Sequence, residues 1–225
     1  MRIFPEIDSK YFYSGSFPEN WDLRLSYLGT AGFVFEADGH VIVVDPYVSR
    51  PSLWKTLTQR LIPDLARIQS YIPKADDVLI GHAHHDHILD APDLCKQTGA
   101  RFIGSRSACL VARAAGVPES QIVETKGRER IACGPHHVTA LPSLHGKVFM
   151  GKVLLPGNIK RQPDWPMRTH HFRHGQVLNW HLEMADTHIV HIDSADFIEQ
   201  EIKNSNKDSR MLELKNWLDY LKTAA

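Results

Sequence analysis

Short apolar runs punctuated by turn residues dominate the first half of the chain. Residues 23–28 (LRLSYL) alternate as a strand does, and 29–32 (GTAG) form a tight turn. Residues 33–37 and 41–45 then make two strands joined by Asp38-Gly39-His40, and Asp-Gly between apolar runs is a strong hairpin signal. The run Val41-Ile42-Val43-Val44 is apolar at every position, as expected of a strand covered on both faces. It stops at Asp45-Pro46, where proline cannot donate to a ladder. Residues 52–70 carry leucines at helical spacing (Leu53, Leu57, Leu61, Leu65), with Pro63 interrupting. A short strand at 77–81, a helix at 91–99 with Pro92 in its first turn and Gly99 at its end, a strand at 101–104 and a helix from Ser105 to 115 follow.

Beyond residue 121 the pattern turns to strands, at 121–124, 128–133 and 137–142. Residues 146–174 have little periodicity and read as a long loop, with a hairpin near 147–155. A second hairpin is expected from 176–183 and 188–193, and an amphipathic helix from 211–221 on Leu214, Trp217, Leu218 and Leu221. Strand and helix alternation followed by strands gives an α/β layered architecture. With 225 residues and neither repeat nor low-complexity linker, one domain over 1–225 is the simplest reading.

Composition narrows the class. Hydrophobic residues make up 43% of the chain, which argues against wholesale disorder. Lys plus Arg and Asp plus Glu are 26 each, so net charge gives no case for a nucleic-acid or anionic membrane partner. Three widely spaced cysteines without a CxxC suggest neither a disulfide framework nor a thiolate metal site. With no secretory pattern at the N-terminus and no apolar run long enough to span a bilayer, a cytoplasmic location is expected.

Histidine is the unusual residue, at 14 copies, and spacing gives it meaning. Residues 81–87 read Gly-His-Ala-His-His-Asp-His, directly after an apolar strand. If the extended geometry persists, His82 and His84 face one side and can converge on one ion. Asp86 and His87 follow where the chain bends and can point to a neighbouring position. Two imidazoles and one distant ligand would leave the open fourth position that catalytic zinc needs. The competing reading is a solvated His-rich turn.

The HxHxDH pattern of His82, His84, Asp86 and His87 resembles the signature of the metallo-β-lactamase superfamily. The stretch YLGTAGFVFEADGHVIVVDPY (27–47) is similar to that superfamily's N-terminal strands. The likeness is closer to the branch of ascorbate-phosphate lactonases and N-acylphosphatidylethanolamine-type phospholipases D than to true β-lactamases. It implies an αββα sandwich with metals at one edge between two sheets. It implies His82, His84 and His145 as ligands of a first metal, and Asp86 and His87 of a second. Zn²⁺ is the implied ion, one or two per chain, with Mn²⁺ or Fe²⁺ as alternatives. Asp45 would orient ligands or merely end its strand.

Two departures stand against the family pattern. The family places a metal-bridging Asp in a Gly-Asp-Thr segment, whereas this chain reads Asp193-Ser194-Ala195-Asp196, with Ser194 at the aligned position. Asp193, or else Asp196, would have to substitute. The family's last metal-binding His has no counterpart, since no histidine follows His191, and the sandwich falls short of its C-terminal elements. One ion only, a group donated by another chain, or weakened activity would each account for that. His170, His171, His174 and His181 are further candidates without a spacing argument.

The implied activity is hydrolysis of an ester, lactone or phosphodiester by metal-bound hydroxide, with Asp86 and His87 in catalytic roles. The loop 147–173 holds Lys147, Lys152, Lys160, Arg161, Arg168 and Arg173 beside Phe149, Trp165 and Phe172. Covering the cleft, it would suit a small substrate with an anionic and an apolar part. A homo-oligomer is a further expectation, through the 211–221 helix. The rivals are a non-catalytic relative with a structural metal and an iron–oxygen redox enzyme; no flavin domain supports the latter.

Overall fold

The computed structural model describes residues 22–147, 151–194 and 196–205. The helix expected at 211–221 and Phe149 lie outside the described residues, as does part of the 147–155 hairpin.

Among the described residues, ten strands form two sheets. The first has six strands in sequential order. In it β1 (Arg24–Gly29), β2 (Gly32–Ala37) and β3 (His40–Val44) make an antiparallel meander. The sheet continues in parallel through β4 (Asp77–Leu79), β5 (Arg101–Gly104) and β6 (Ile122–Glu124). The second sheet is antiparallel, in the order β10-β9-β8-β7. Its strands are β7 (Arg130–Cys133), β8 (His136–Ser143), β9 (Val177–Met184) and β10 (Thr187–His191).

The apolar run of β3 is split by the strand's period of two. Val41 and Val43 enter one core and Ile42 and Val44 another. Ile42, Val44, Leu79 and Ile103 face Val138, Ala140, Leu178 and Trp180 between the sheets. Val43, Val78, Ile80 and Phe102 pack instead with residues of the helices. The helical layer consists of α1 (Leu53–Thr58), α2 (Leu65–Tyr71), α3 (His85–Ile88), α4 (Ala91–Thr98) and α5 (Arg106–Ala114). A last helix, α6 (Glu199–Ser205), packs near β8. The result is the layered sandwich expected from the sequence.

Local chemistry explains the element ends. Pro63 divides the 52–70 leucine pattern into two helices, and Asp64 caps the second by accepting from the Arg67 amide at 3.1 Å. Gly99 closes α4 in the left-handed conformation, φ 80°. Ser105 precedes α5 as expected, but its hydroxyl makes no capping bond.

The ends of several strands meet at one edge. The Asp45 amide bonds Leu79 O at 3.0 Å, Ile80 bonds Ile103 O at 2.9 Å and Leu178 bonds Gly81 O at 2.8 Å. The last of these ties the second sheet to the first just before His82. His145 follows the end of β8 and Asp193 follows the end of β10 at this same edge.

Candidate metal centre

His82 and His84 follow the end of β4, His84 in extended backbone, before the short turn of α3. His82 Nε2 lies 2.9 Å from His84 Nδ1, and His145 Nε2 lies 3.1 Å from that same atom. The opposite nitrogen of each ring meets an oxygen. His82 Nδ1 donates to Asp193 Oδ2 at 2.5 Å, His84 Nε2 to Leu155 O at 3.4 Å, and His145 Nδ1 to Gly146 O at 2.7 Å. Those acceptors place each proton on the outer nitrogen, so three inner lone pairs point at one another. Burial drives the pKa of His84 down to about 3 and lowers that of His82, so neither ring resolves the crowding by taking a proton.

A cation fits this arrangement. Zn–N bonds of ~2.0–2.1 Å in a tetrahedron place neighbouring nitrogens about 3.3 Å apart. The observed separations of 2.9 and 3.1 Å need only a small expansion. The ligand atoms of His82, His84 and His145 all lie within 4.8 Å of one another.

The second set is built differently. Asp193 is fully buried, and its two oxygens face the Nδ1 atoms of His82, at 2.5 Å, and His87, at 2.9 Å. His82 Nδ1 is the nitrogen turned away from the three-histidine cluster. Asp193 Oδ2 therefore stands behind His82 as its acceptor, while Oδ1 is buried beside His87 Nδ1 without a hydrogen bond, and an Asp193 oxygen and the His82 and His87 nitrogens lie close enough together to hold an ion. Asp45 joins from the end of β3. Its carboxylate accepts from the Gly81 amide at 2.8 Å and from His87 Nδ1 at 3.2 Å, and its own backbone sits at φ 45°. Of the two readings of Asp45, orienting residue or simple turn, the contacts are those of the first.

Charge is shared across this buried quartet. Burial and the neighbouring Asp193 push Asp45 up to about 8. Burial alone would raise Asp193 as well, but His82 and His87 hold it well below the carboxylate range. Burial disfavours the charged form of His87, yet the Asp193 and Asp45 carboxylates outweigh that and raise its pKa.

His87 Nε2 faces outward, 3.8 Å from Asp86 Oδ2, and the Asp86 side chain is 39% exposed. Asp86 and His87 Nε2 are the remaining donors of this stretch. Asp196 stays out of the site: its carbonyl accepts from Ser143 Oγ, and its carboxylate accepts from the Phe197 amide. Ser194 Oγ donates to Leu144 O at 3.2 Å, in the segment leading to His145.

Gly81 makes the arrangement possible. A Cβ at residue 81 would lie 2.4 Å from Asp193 Cγ, so any other residue would expel the carboxylate.

Among the histidines without a spacing argument, only His174 reaches the site. Its ring centroid lies 5.8 Å from that of His84 and 5.7 Å from that of His145. Both of its nitrogens are committed, Nδ1 to Gly175 O at 2.5 Å and Nε2 to the Gly157 amide at 3.3 Å. It is a wall of the site that latches residues 155–157 in place. No sequence spacing marks it, because the latch closes across the long loop. His170 and His171 meet edge to face in an exposed turn, and His181 pairs with His188 in the second sheet.

The long loop also departs from expectation. Phe172 is fully buried, with Met167 and Ile159, in the helix-side core, and Trp165 packs against them. Two of the apolar groups expected to meet substrate, Trp165 and Phe172, instead anchor the loop. Its six basic residues are exposed.

Comparison with known proteins agrees with this geometry. Residues 24–208 match the family described as the beta-lactamase superfamily domain. The chain belongs to this metallo-β-lactamase superfamily. Among individual relatives, it is 29% identical over 138 residues to a protein of Methylocella silvestris named a UPF0173 metal-dependent hydrolase, covering 60% of this chain and 54% of that one. A protein of the same description from Ignicoccus hospitalis is 38% identical over 80 residues, 36% of this chain and 30% of the relative. The chain thus spans about half the length, or less, of these relatives. A solved metallo hydrolase from Ignicoccus hospitalis aligns at 21% identity with a TM-score of 0.49, over 75% of this chain and 59% of that one.

Proposed function

We propose that this chain is a metal-dependent hydrolase acting on an ester, lactone or phosphodiester. The observation that carries this reading is the set of three histidine lone pairs, each forced inward by an oxygen acceptor on the far side of its ring. Such a set suits a cation, which would take all three lone pairs at once. The relatives' shared description as metal-dependent hydrolases supports the same reading. His82, His84 and His145 would hold the ion, and Zn²⁺ suits three imidazoles best. When bound, the ion supplies a Lewis acid and a water acidic enough to act as a nucleophile near neutral pH.

The chain's own groups do the rest. Asp193 keeps His82 in the tautomer with Nε2 bare, and Leu155 O does the same for Nδ1 of His84. Asp86, half-exposed beside the cluster, is placed to accept a proton from the attacking water. His87 Nε2, with Nδ1 held by Asp45 and Asp193, can donate toward a developing oxyanion. The substrate is a small molecule, and the exposed basic loop favours an anionic one.

Purified chain should hold metal and hydrolyse at least one of a panel of p-nitrophenyl ester, lactone and bis-p-nitrophenyl phosphate substrates. Chelation should abolish turnover, and Zn²⁺, Mn²⁺ or Fe²⁺ should restore it. The second reading, a non-catalytic relative with a structural metal, is favoured by one observation. Asp193 is engaged behind the histidines, so only Asp86 and His87 face the second position among the described residues. Tightly held metal with no turnover on any of the three substrates would select that reading.

A further inference from the structure

The loop that leaves the end of β3, at the metal edge, leads into α1, and α1 is exposed in an unusual way. None of its six residues is buried. Leu53, Trp54 and Leu57 are 74%, 71% and 70% exposed. At i, i+1 and i+4 they fall within an arc of about 100° on a helix of 3.6 residues per turn. Ile62 at 70% and Leu65 at 52% extend the apolar surface into the next turn. Single exposed apolar residues are ordinary, but five within one short segment form a patch that a monomeric protein rarely leaves bare.

The charge around this patch identifies what it meets. Arg50, Lys55, Arg60 and Arg67 are all exposed, and the only acid between them is Asp64, spent on capping α2. The three arginines spend their hydrogen bonds on backbone carbonyls: Arg50 on Tyr47 and Leu28, Arg60 on Pro166, Arg67 on Ser49. No carboxylate among the described residues forms an ion pair with any of the four. None of the four is thus neutralised by a direct ion pair among the described residues, although the complete chain has no net charge.

We propose that this segment docks the protein on an anionic lipid surface. Trp and Leu on one side of a surface helix, ringed by unneutralised Arg and Lys, is the chemistry of an interfacial helix. The side chains would enter the headgroup–acyl boundary while the cations meet phosphate and carboxylate headgroups. This is peripheral attachment: no helix among the described residues is long and apolar enough to cross a membrane. α1 is held in place for it. Arg168 Nη1 bonds Thr58 O at 2.7 Å and Thr169 Oγ1 bonds Thr56 O, tying the helix to the long loop. The proposal makes no use of the metal site and stands or falls apart from the hydrolase reading.

The test is co-sedimentation of the full chain with vesicles of phosphatidylcholine alone and of phosphatidylcholine with 30% phosphatidylserine. Binding is expected on the anionic vesicles only, and it should weaken with salt. The variant Leu53→Ser/Trp54→Ser/Leu57→Ser removes no buried side chain and should fold, as circular dichroism would check. It should lose at least about tenfold in partitioning. Lys55→Glu/Arg67→Glu, with the apolar residues intact, should lose at least about tenfold as well. Absence of binding to anionic vesicles, equal binding to neutral ones, or binding unaltered in both variants would overturn the proposal. So would a wild-type dimer that dissociates in the triple serine variant without any vesicle binding, since the patch would then join two copies of this chain.

Discussion

Two sets of donors lie side by side at the metal edge, and they are unequal. In the first, His82, His84 and His145 each present a bare nitrogen inward and a protonated one outward, and all three outward nitrogens have acceptors. In the second, His87 and Asp86 face outward 3.8 Å apart, while Asp193 is held behind by two imidazole Nδ1 atoms. The difference lies in how the sheet ends deliver the side chains. β4 and β8 bring three histidines to one point. β10 brings Asp193 to the reverse side of that point, into space that Gly81 leaves open. Both groups of donors therefore share His82 and lean on the same buried carboxylates, Asp193 and Asp45.

The largest effect should come from breaking the first set. His82→Ala or His145→Ala should strip the ion and reduce turnover to background, measured as metal content and initial rate. Retained metal in either variant would show that the three histidines are not the binding site. Asp86→Asn sharpens the comparison. It should lower turnover by about 10²–10⁴ through loss of the proton acceptor while metal content stays unchanged. Loss of an ion in Asp86→Asn would mean instead that the second position is occupied.

Asp193→Asn keeps the shape but not the charge. Metal affinity should fall about 10–100-fold, as for other acceptors behind ligating histidines. Collapse to no binding would point to Asp193 as a direct ligand. Gly81→Ala should destabilise the fold by about 1–3 kcal/mol, because the new Cβ overlaps Asp193 Cγ. Urea unfolding would measure it.

The smallest effect contrasts the site with a histidine pair elsewhere. His181 is buried in the second sheet, 3.0 Å from His188, and burial lowers its pKa. The unfolded chain then binds a proton below about pH 6.5 that the folded chain refuses. The contribution of His181 should be constant above that pH and fall below it, by no more than about 1.4 kcal/mol per pH unit. Against wild type, His181→Gln should lose less stability in urea titrations on going from pH 7.5 to 5.5.

Much of this molecule was legible where the controlling interactions are local. The Asp38-Gly39 turn sets the β2–β3 hairpin, Pro63 splits the leucine run, and the all-apolar β3 is buried on both faces. His82, His84 and His87 were readable because a period of two followed by a bend dictates where their rings go. His145 came from the family resemblance, which places a histidine after a strand of this kind, and the structure brings it beside His82 and His84. The orientation of Asp193 was not, since it depends on the missing Cβ of Gly81, more than a hundred residues away in sequence. Nor was His174, whose place is set by hydrogen bonds across a loop without periodicity. Phe172 was misread for the same reason: an aromatic in an irregular segment gives no sign of which way it faces. Whole-chain charge balance likewise concealed the basic, apolar surface of α1.

The inequality of the two donor sets is tested most directly by metal stoichiometry. Inductively coupled plasma mass spectrometry on freshly purified chain, run beside His145→Ala, should find one tightly held ion in the first and none in the second. Two ions per chain, or an ion that survives the loss of His145, would contradict it.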